Sequence, residues 1–220
     1  MSTGIFKGAV LPILQDQVDT DIIVRIERLA TLARGQFGPW AFESLRYGAD
    51  GEPSAEFPMN WPGCANASIL IAGENFGCGS SRENAVWAIQ ESGGQVVVAP
   101  SFGDIFFANC KANRLLAAQL SLDDYQAMRT WLSARLSGPE SEPLSGRVNV
   151  EALLIELTDS YGAKFTARLH VPEDMRQAIL TPIDAVDLTL ADRSQIEAFA
   201  DALFEARPWL KAPDKGLFGL

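Results

Sequence analysis

Ser68-Ile69-Leu70-Ile71-Ala72, followed by Gly73-Glu74 and then Asn75-Phe76-Gly77-Cys78-Gly79-Ser80-Ser81-Arg82-Glu83-Asn84-Ala85, carries an apolar run into a helix. Residues 68–72 are short, apolar and isoleucine-rich, which predicts a buried strand. Ser80 and Glu83 stand three apart, the spacing of a capping box, so a helix is predicted to begin there. Ala85, Val86 and Ile89 give it an apolar face, and Gly93-Gly94 supplies its stop. Gln95-Val96-Val97-Val98-Ala99 then reads as a second buried strand. Strand, helix and strand in this order predict a β-α-β unit with parallel pairing and a right-handed crossover.

The turn between strand and helix has its own chemistry. A helix start offers free N–H groups and partial positive charge, which suit an anion. Gly77 and Gly79 let backbone approach a ligand, and the Arg82 guanidinium matches a carboxylate or phosphate. A cap alone needs one hydroxyl, whereas this turn has Ser80 and Ser81 together with an arginine. It is not a Walker loop, because no Gly-Lys-Ser/Thr follows, and not a dinucleotide fingerprint, because Arg82 stands where the third glycine belongs.

The rest of the chain narrows the classes. Its 220 residues are 47% hydrophobic, ample for one α/β domain. With 18 basic against 28 acidic side chains and no basic run, nucleic acid is not an expected partner. No stretch is long enough to span a membrane, and residues 1–14, broken by Gly8 and Pro12, make a poor signal peptide. The three cysteines, Cys64, Cys78 and Cys110, form no Cys-x-x-Cys, so neither a disulfide framework nor a metal site is expected, and a reducing cytoplasm is. His170, the one histidine, falls on the polar face of an alternating strand. No triad or Cys/His dyad can be assembled around it.

Along the chain, Ile5 to Pro12 predicts a strand, Val18-Asp19-Thr20-Asp21 a turn, and Ile22-Ile23-Val24 a further apolar step. Residues 33–63 form a long region rich in Gly, Pro and aromatics, with Arg46 inside it. After the β-α-β unit come a helix over Asp104 to Lys111, a third strand at Leu115–Ala118 and an amphipathic helix from Asp123 to Leu136. Val148–Leu157 and Lys164–Val171 predict a hairpin about Ser160-Tyr161-Gly162, and two short helices follow near 173–180 and 193–205. The expected architecture is an α/β mixed sheet with a central β-α-β unit and a later antiparallel hairpin. Residues 1–206 are expected to form one domain, with 207–220 as a C-terminal tail.

These residues also resemble a known family. Asn75-Phe76-Gly77-Cys78-Gly79-Ser80-Ser81-Arg82-Glu83 is similar to the signature of the small, swivel-domain subunits of 3-isopropylmalate dehydratases, in the aconitase superfamily. Val18-Asp19-Thr20-Asp21, Gly35-Gln36-Phe37-Gly38, Arg46-Tyr47, Phe57-Pro58-Met59-Asn60, Ala99-Pro100-Ser101-Phe102-Gly103-Asp104-Ile105-Phe106 and Asp187-Leu188-Thr189-Leu190 extend the likeness from about residue 5 to about residue 208. The resemblance implies an aconitase C-terminal-domain-like fold. It also implies a hydro-lyase that moves a hydroxyl between adjacent carbons of a small dicarboxylate. The implied partner is a large subunit carrying a 4Fe-4S iron–sulfur cluster through its own cysteines, with no cofactor in this chain, and the chain alone could self-associate. By the same resemblance Ser80 is the catalytic base, Arg82 stabilises its oxyanion, and Ser81 with Arg82 holds a substrate carboxylate. Gly79, Asp21, Arg25 and Arg46 are the further expected substrate-binding residues, Arg25 standing either as a second carboxylate clamp or pointing to solvent.

The chain departs from the family pattern at four places. Asn84 stands for histidine, Val86 for proline, Arg25 for the proline after the Asp-Thr-Asp turn, and Gly103 for alanine. Asn84 cannot become a cation. The departures leave open a sister hydratase acting on citraconate or methylmalate, and a non-catalytic anion-binding module stands as the rival from another class.

Overall fold

The computed structural model describes residues 4–64, 66–80, 82–136, 138–181, 190 and 192–210. Ser81 and residues 187–189 lie outside them. The chain divides between Thr181 and Pro182 into two compact units.

In the first unit, β1 (Ile5–Ile13) is the pivot. Its first half, Ile5 to Ala9, pairs antiparallel with β5 (Ser145–Asn149), and its second half, Val10 to Ile13, pairs in parallel with β2 (Ile69–Ala72). β3 (Val96–Ala99) and β4 (Leu116–Gln119) extend the parallel side, and β6 (Leu154–Thr158) and β7 (Lys164–Arg168) extend the antiparallel side. The sheet runs β4-β3-β2-β1-β5-β6-β7. β2 and β3 are buried along their whole length, as expected of parallel strands covered on both faces. β5 and β6 alternate buried and open residues, as expected of strands wet on one face. β4 also meets the segment just past β7. The Gln119 N–H donates to His170 O at 2.9 Å and the His170 N–H to Gln119 O at 2.8 Å, so the sheet curls round on itself.

The predicted β-α-β unit is present. α4 (Glu83–Glu91) joins β2 to β3 and buries Ala85, Val86, Ala88 and Ile89. α5 (Asp104–Ala112) joins β3 to β4 through Phe106 and Cys110. α6 (Leu122–Ser133), capped by the Ser121 hydroxyl, buries Tyr125, Met128 and Leu132, and α7 (Glu173–Leu180) follows the sheet.

Some expectations change. The apolar step at residues 22–24 is the end of a short helix, α1 (Thr20–Ile23), whose N-cap Asp19 accepts from the Ile22 N–H at 2.8 Å. Residues 148–157 are two strands rather than one, so the hairpin becomes a three-stranded meander. Asn149 Oδ1 accepts from the N–H groups of Glu151 and Ala152, both at 3.0 Å, and turns the chain there. A short helix, α2 (Ile26–Leu29), precedes the aromatic region 33–63, and another, α3 (Glu43–Arg46), lies within it. Phe37, Phe42, Phe57 and Trp61 are buried and fasten this long connection to the core. In the second unit, α8 (Arg193–Ala206) runs into a short 3-10 turn, Pro208–Leu210.

Candidate active site

β1, β2 and β3 run parallel and end at one edge of the sheet, and the segments that follow them are stitched together there. The Gly77 N–H donates to Val18 O at 2.7 Å and the Thr20 N–H to Cys78 O at 3.0 Å. On the other side, the Phe76 N–H donates to Ser101 O at 3.1 Å and the Gly103 N–H to Phe76 O at 2.9 Å. Asn75 Nδ2 donates to Gln17 Oε1 at 2.7 Å. Open α/β sheets hold their ligands outside the carboxyl ends of such strands.

The glycines make this stitching feasible. A Cβ on Gly77, whose φ is +73°, would lie 2.2 Å from the Phe106 ring. A Cβ on Gly103 would lie 2.6 Å from Gly77 O, so the alanine of the family pattern would push this loop outward. Gly79 and Ser80 emerge into solvent. The Ser80 carbonyl is fixed by Thr20 Oγ1, which donates to it at 3.2 Å from a nearly fully buried position. The Ser80 hydroxyl makes no hydrogen bond to a described residue.

Arg82 lies at the start of α4 with its side chain only 10% exposed, against the carboxylate of Asp21. Its Nη1 is buried and has no hydrogen bond of good geometry, so the contact is an ion pair with donors left over. The guanidinium holds the Asp21 carboxyl below its usual range, against the opposing effect of partial burial. The structure thus gathers Ser80, Gly79, Asp21 and Arg82. Arg25 and Arg46 stand in other surroundings. Arg25 turns to Glu27 at 3.3 Å and lines a hollow with Trp40, Glu43 and Tyr47. Arg46 donates to Pro39 O at 3.0 Å and Asn60 Oδ1 at 3.4 Å, bracing the aromatic connection.

The capping box does not form. α4 starts at Glu83 with Arg82 as its N-cap and no side-chain cap, two residues beyond Ser80. Glu83 Oε1 instead accepts from Asn113 Nδ2 at 2.8 Å. The N–H groups of Glu83 and Asn84 find no partner among the described residues. Sequence reasoning missed Thr20 as the tether of Ser80 and Asn113 as the partner of Glu83. Neither carries a local signal, since they act across 60 and 30 residues.

A shallow hollow of about 280 Å³ opens beside this loop, between Asn75, Cys78, Gly79 and Ile105. A larger cavity of about 350 Å³, between Ile13, Glu56, Trp61, Leu132 and Leu136, involves none of the expected site residues. The cysteines are thiols rather than nucleophilic thiolates. Burial pushes Cys64 up to about 11 and Cys110 well up, while burial and then the Asp19 charge raise Cys78. Among the described residues no group of three His, Cys, Asp or Glu side chains could hold a metal ion, and no helix is long and apolar enough to cross a membrane.

Comparison with known proteins gives one answer. Residues 4–123 match the model of the aconitase C-terminal domain. The chain is 36% identical over 205 residues to 3-isopropylmalate dehydratase small subunit 1 of Chromobacterium violaceum, covering 93% of this chain and 92% of that one. It is 37% identical over 206 residues to the 3-isopropylmalate dehydratase small subunit of Bacillus subtilis, covering 94% and 96%. The crystal structure of a 3-isopropylmalate dehydratase from Methanocaldococcus jannaschii aligns with a TM-score of 0.59 over 89% of this chain and 99% of that one. At 24% identity that likeness is one of fold.

Proposed function

The chain belongs to the aconitase C-terminal domain family, and from that membership we propose that it is the small subunit of a heteromeric hydro-lyase, a 3-isopropylmalate dehydratase. It interconverts 2- and 3-isopropylmalate by dehydration and rehydration, in the cytoplasm, together with a large iron–sulfur subunit. The observation that carries the reading is an exposed Ser80 hydroxyl two residues from a nine-tenths-buried guanidinium, at a helix start that no side chain of a described residue caps. A site this open is half a site, and the partner's surface would close it. The Lewis-acid chemistry at the departing hydroxyl is assigned to the partner's 4Fe-4S cluster.

This chain's own share is proton transfer and charge control. Ser80 Oγ takes the proton α to a carboxylate and returns it in the reverse direction. Serine is a base only as its alkoxide, so the oxyanion must be held by cations and N–H donors. Arg82 and the first turn of α4 supply both. The donors that Arg82 does not spend on Asp21 bind a substrate carboxylate, a task shared with Ser81, its neighbour in the sequence. Asp21 serves chiefly to aim Arg82.

The test is co-expression with a cluster-bearing large subunit and assay on 3-isopropylmalate, citraconate and 2-methylmalate. Isopropylmalate is expected to turn over best. Ser80→Ala should lower kcat by roughly a thousandfold or more, as loss of a catalytic base or nucleophile does. Arg82→Lys, which loses the planar fork, should lower kcat/KM by about 10- to 100-fold. Full activity in both variants would defeat the catalytic assignment, and a preference for citraconate would move the substrate.

A further inference from the structure

Glu83 ought to be the natural enemy of this site. It is the first residue of α4, next to Arg82, and a carboxylate there is drawn to the free N–H groups and to the guanidinium. It is held away by Asn113, the residue at which α5 ends. The Asn113 amide cannot turn over freely. Its Oδ1 accepts from Trp87 Nε1 at 2.9 Å and from Arg34 Nη2 at 3.4 Å, which leaves Nδ2 to donate to Glu83 Oε1 at 2.8 Å and to Asn109 O at 3.0 Å. Gln90, further along α4, donates to Asn113 O at 2.8 Å and fixes the backbone as well. A side chain that must accept on one side and donate on the other is an amide. From this geometry we propose that Asn113 is a positioning residue: by holding the Glu83 carboxylate, it keeps the start of α4 open to the substrate's anion. The proposal rests on the dehydratase reading for the identity of that anion.

The test uses the full chain in complex with the large subunit, assayed on 3-isopropylmalate. Asn113→Ala frees Glu83 to compete for the helix start. KM should rise roughly tenfold and kcat should fall with it, because the same helix start holds the substrate's carboxylate and the Ser80 oxyanion. Asn113→Asp keeps the acceptor for Trp87 but loses the donor to Glu83, and should raise KM likewise. Adding Glu83→Gln to either variant should restore KM, because the competing charge is gone. If Asn113 merely braces α4 against α5, Glu83→Gln will restore nothing, and the proposal falls. Amide NMR of the full chain, with malonate as the anion probe, separates this from the substrate assignment. In the wild type and in the double variant the Glu83 and Asn84 N–H signals should shift at roughly tenfold lower malonate than in Asn113→Ala. If the wild-type complex fails to turn over isopropylmalate but this order of affinities appears, the substrate reading fails and the role of Asn113 stands. Equal malonate affinity in wild type and Asn113→Ala overturns it.

Discussion

Gly77 has the Phe106 ring where a side chain would go, and a φ of +73° that other residues rarely adopt. Gly77→Ala therefore meets two penalties. Positive φ costs about 1–2 kcal/mol, and forcing a methyl into filled space about 1–3 kcal/mol more. A part of this would be relieved by displacing the loop, which carries Ser80 three residues on. Displacement of a reacting group by about 1 Å costs on the order of a hundredfold in rate. Urea unfolding should thus show a loss of about 2–4 kcal/mol, and the complex a fall in kcat near a hundredfold. Wild-type stability would show that the close approach is not real. At this scale much of the site was legible. Ser80 and Arg82 are near neighbours in the sequence, and two glycines in a short turn announce a backbone that must come close to something. Thr20 was read only as part of a turn, because nothing local shows that its hydroxyl reaches across 60 residues to the Ser80 carbonyl.

α4 is fastened at both ends by groups that sequence spacing does not connect. At its start Asn113 draws Glu83 aside. At its end the Glu91 carboxylate accepts from the N–H groups of Gly35 at 2.6 Å, Phe37 at 2.5 Å and Gly38 at 3.2 Å, and so anchors the head of the aromatic connection. Two of those donors, on Phe37 and Gly38, belong to buried residues. Glu91→Ala leaves them unpaired, at a cost of about 2–4 kcal/mol, and Glu91→Gln, which keeps an acceptor, should cost about half as much. Hydrogen exchange at Phe37 should quicken in step with the global loss. Unchanged exchange there would mean that the connection is held by its aromatics alone. The same long-range pairing explains what could and could not be read in advance. Buried strands and helices declared themselves through apolar spacing. The capping box failed because a partner 30 residues away outbid the local one. The turn between β5 and β6 stayed hidden because its residues are mostly apolar and Leu153 takes a positive φ of 54°, which nothing in the sequence marks.

Over the whole first unit, four ion pairs join elements that lie far apart in the chain. Asp21 meets Arg82 and Glu43 meets Arg28, while Asp159 meets Arg135 and Asp174 meets Lys111. They tie α1 to the start of α4, α2 to α3, α6 to the β6–β7 turn, and α5 to α7. In each pair the cation holds the carboxyl below its usual range. A lowered native pKa means that the unfolded chain binds more protons. The stabilisation is therefore complete above the ordinary carboxylate range near pH 4 and drains away as pH falls through the lowered values. A second effect runs the other way. The chain carries a net charge of −10, so mild acid first relieves self-repulsion. Several of these partners are exposed and individually weak, so the repulsive term should govern mild acid and the ion pairs strong acid. The urea midpoint should stay level or rise slightly from pH 7 to about 5, then fall steeply below about 4, with the slope of unfolding unchanged. Raising salt should flatten the first limb, because screening removes the repulsion. Arg135→Ala, which leaves the proposed site untouched, should shrink the second limb, because Asp159, then held only by the N–H groups of Tyr161 and Ala163, titrates less differently in the folded and unfolded chain. A midpoint that climbs steadily down to pH 3 would show that repulsion alone sets the acid behaviour and that these joints contribute nothing to the fold.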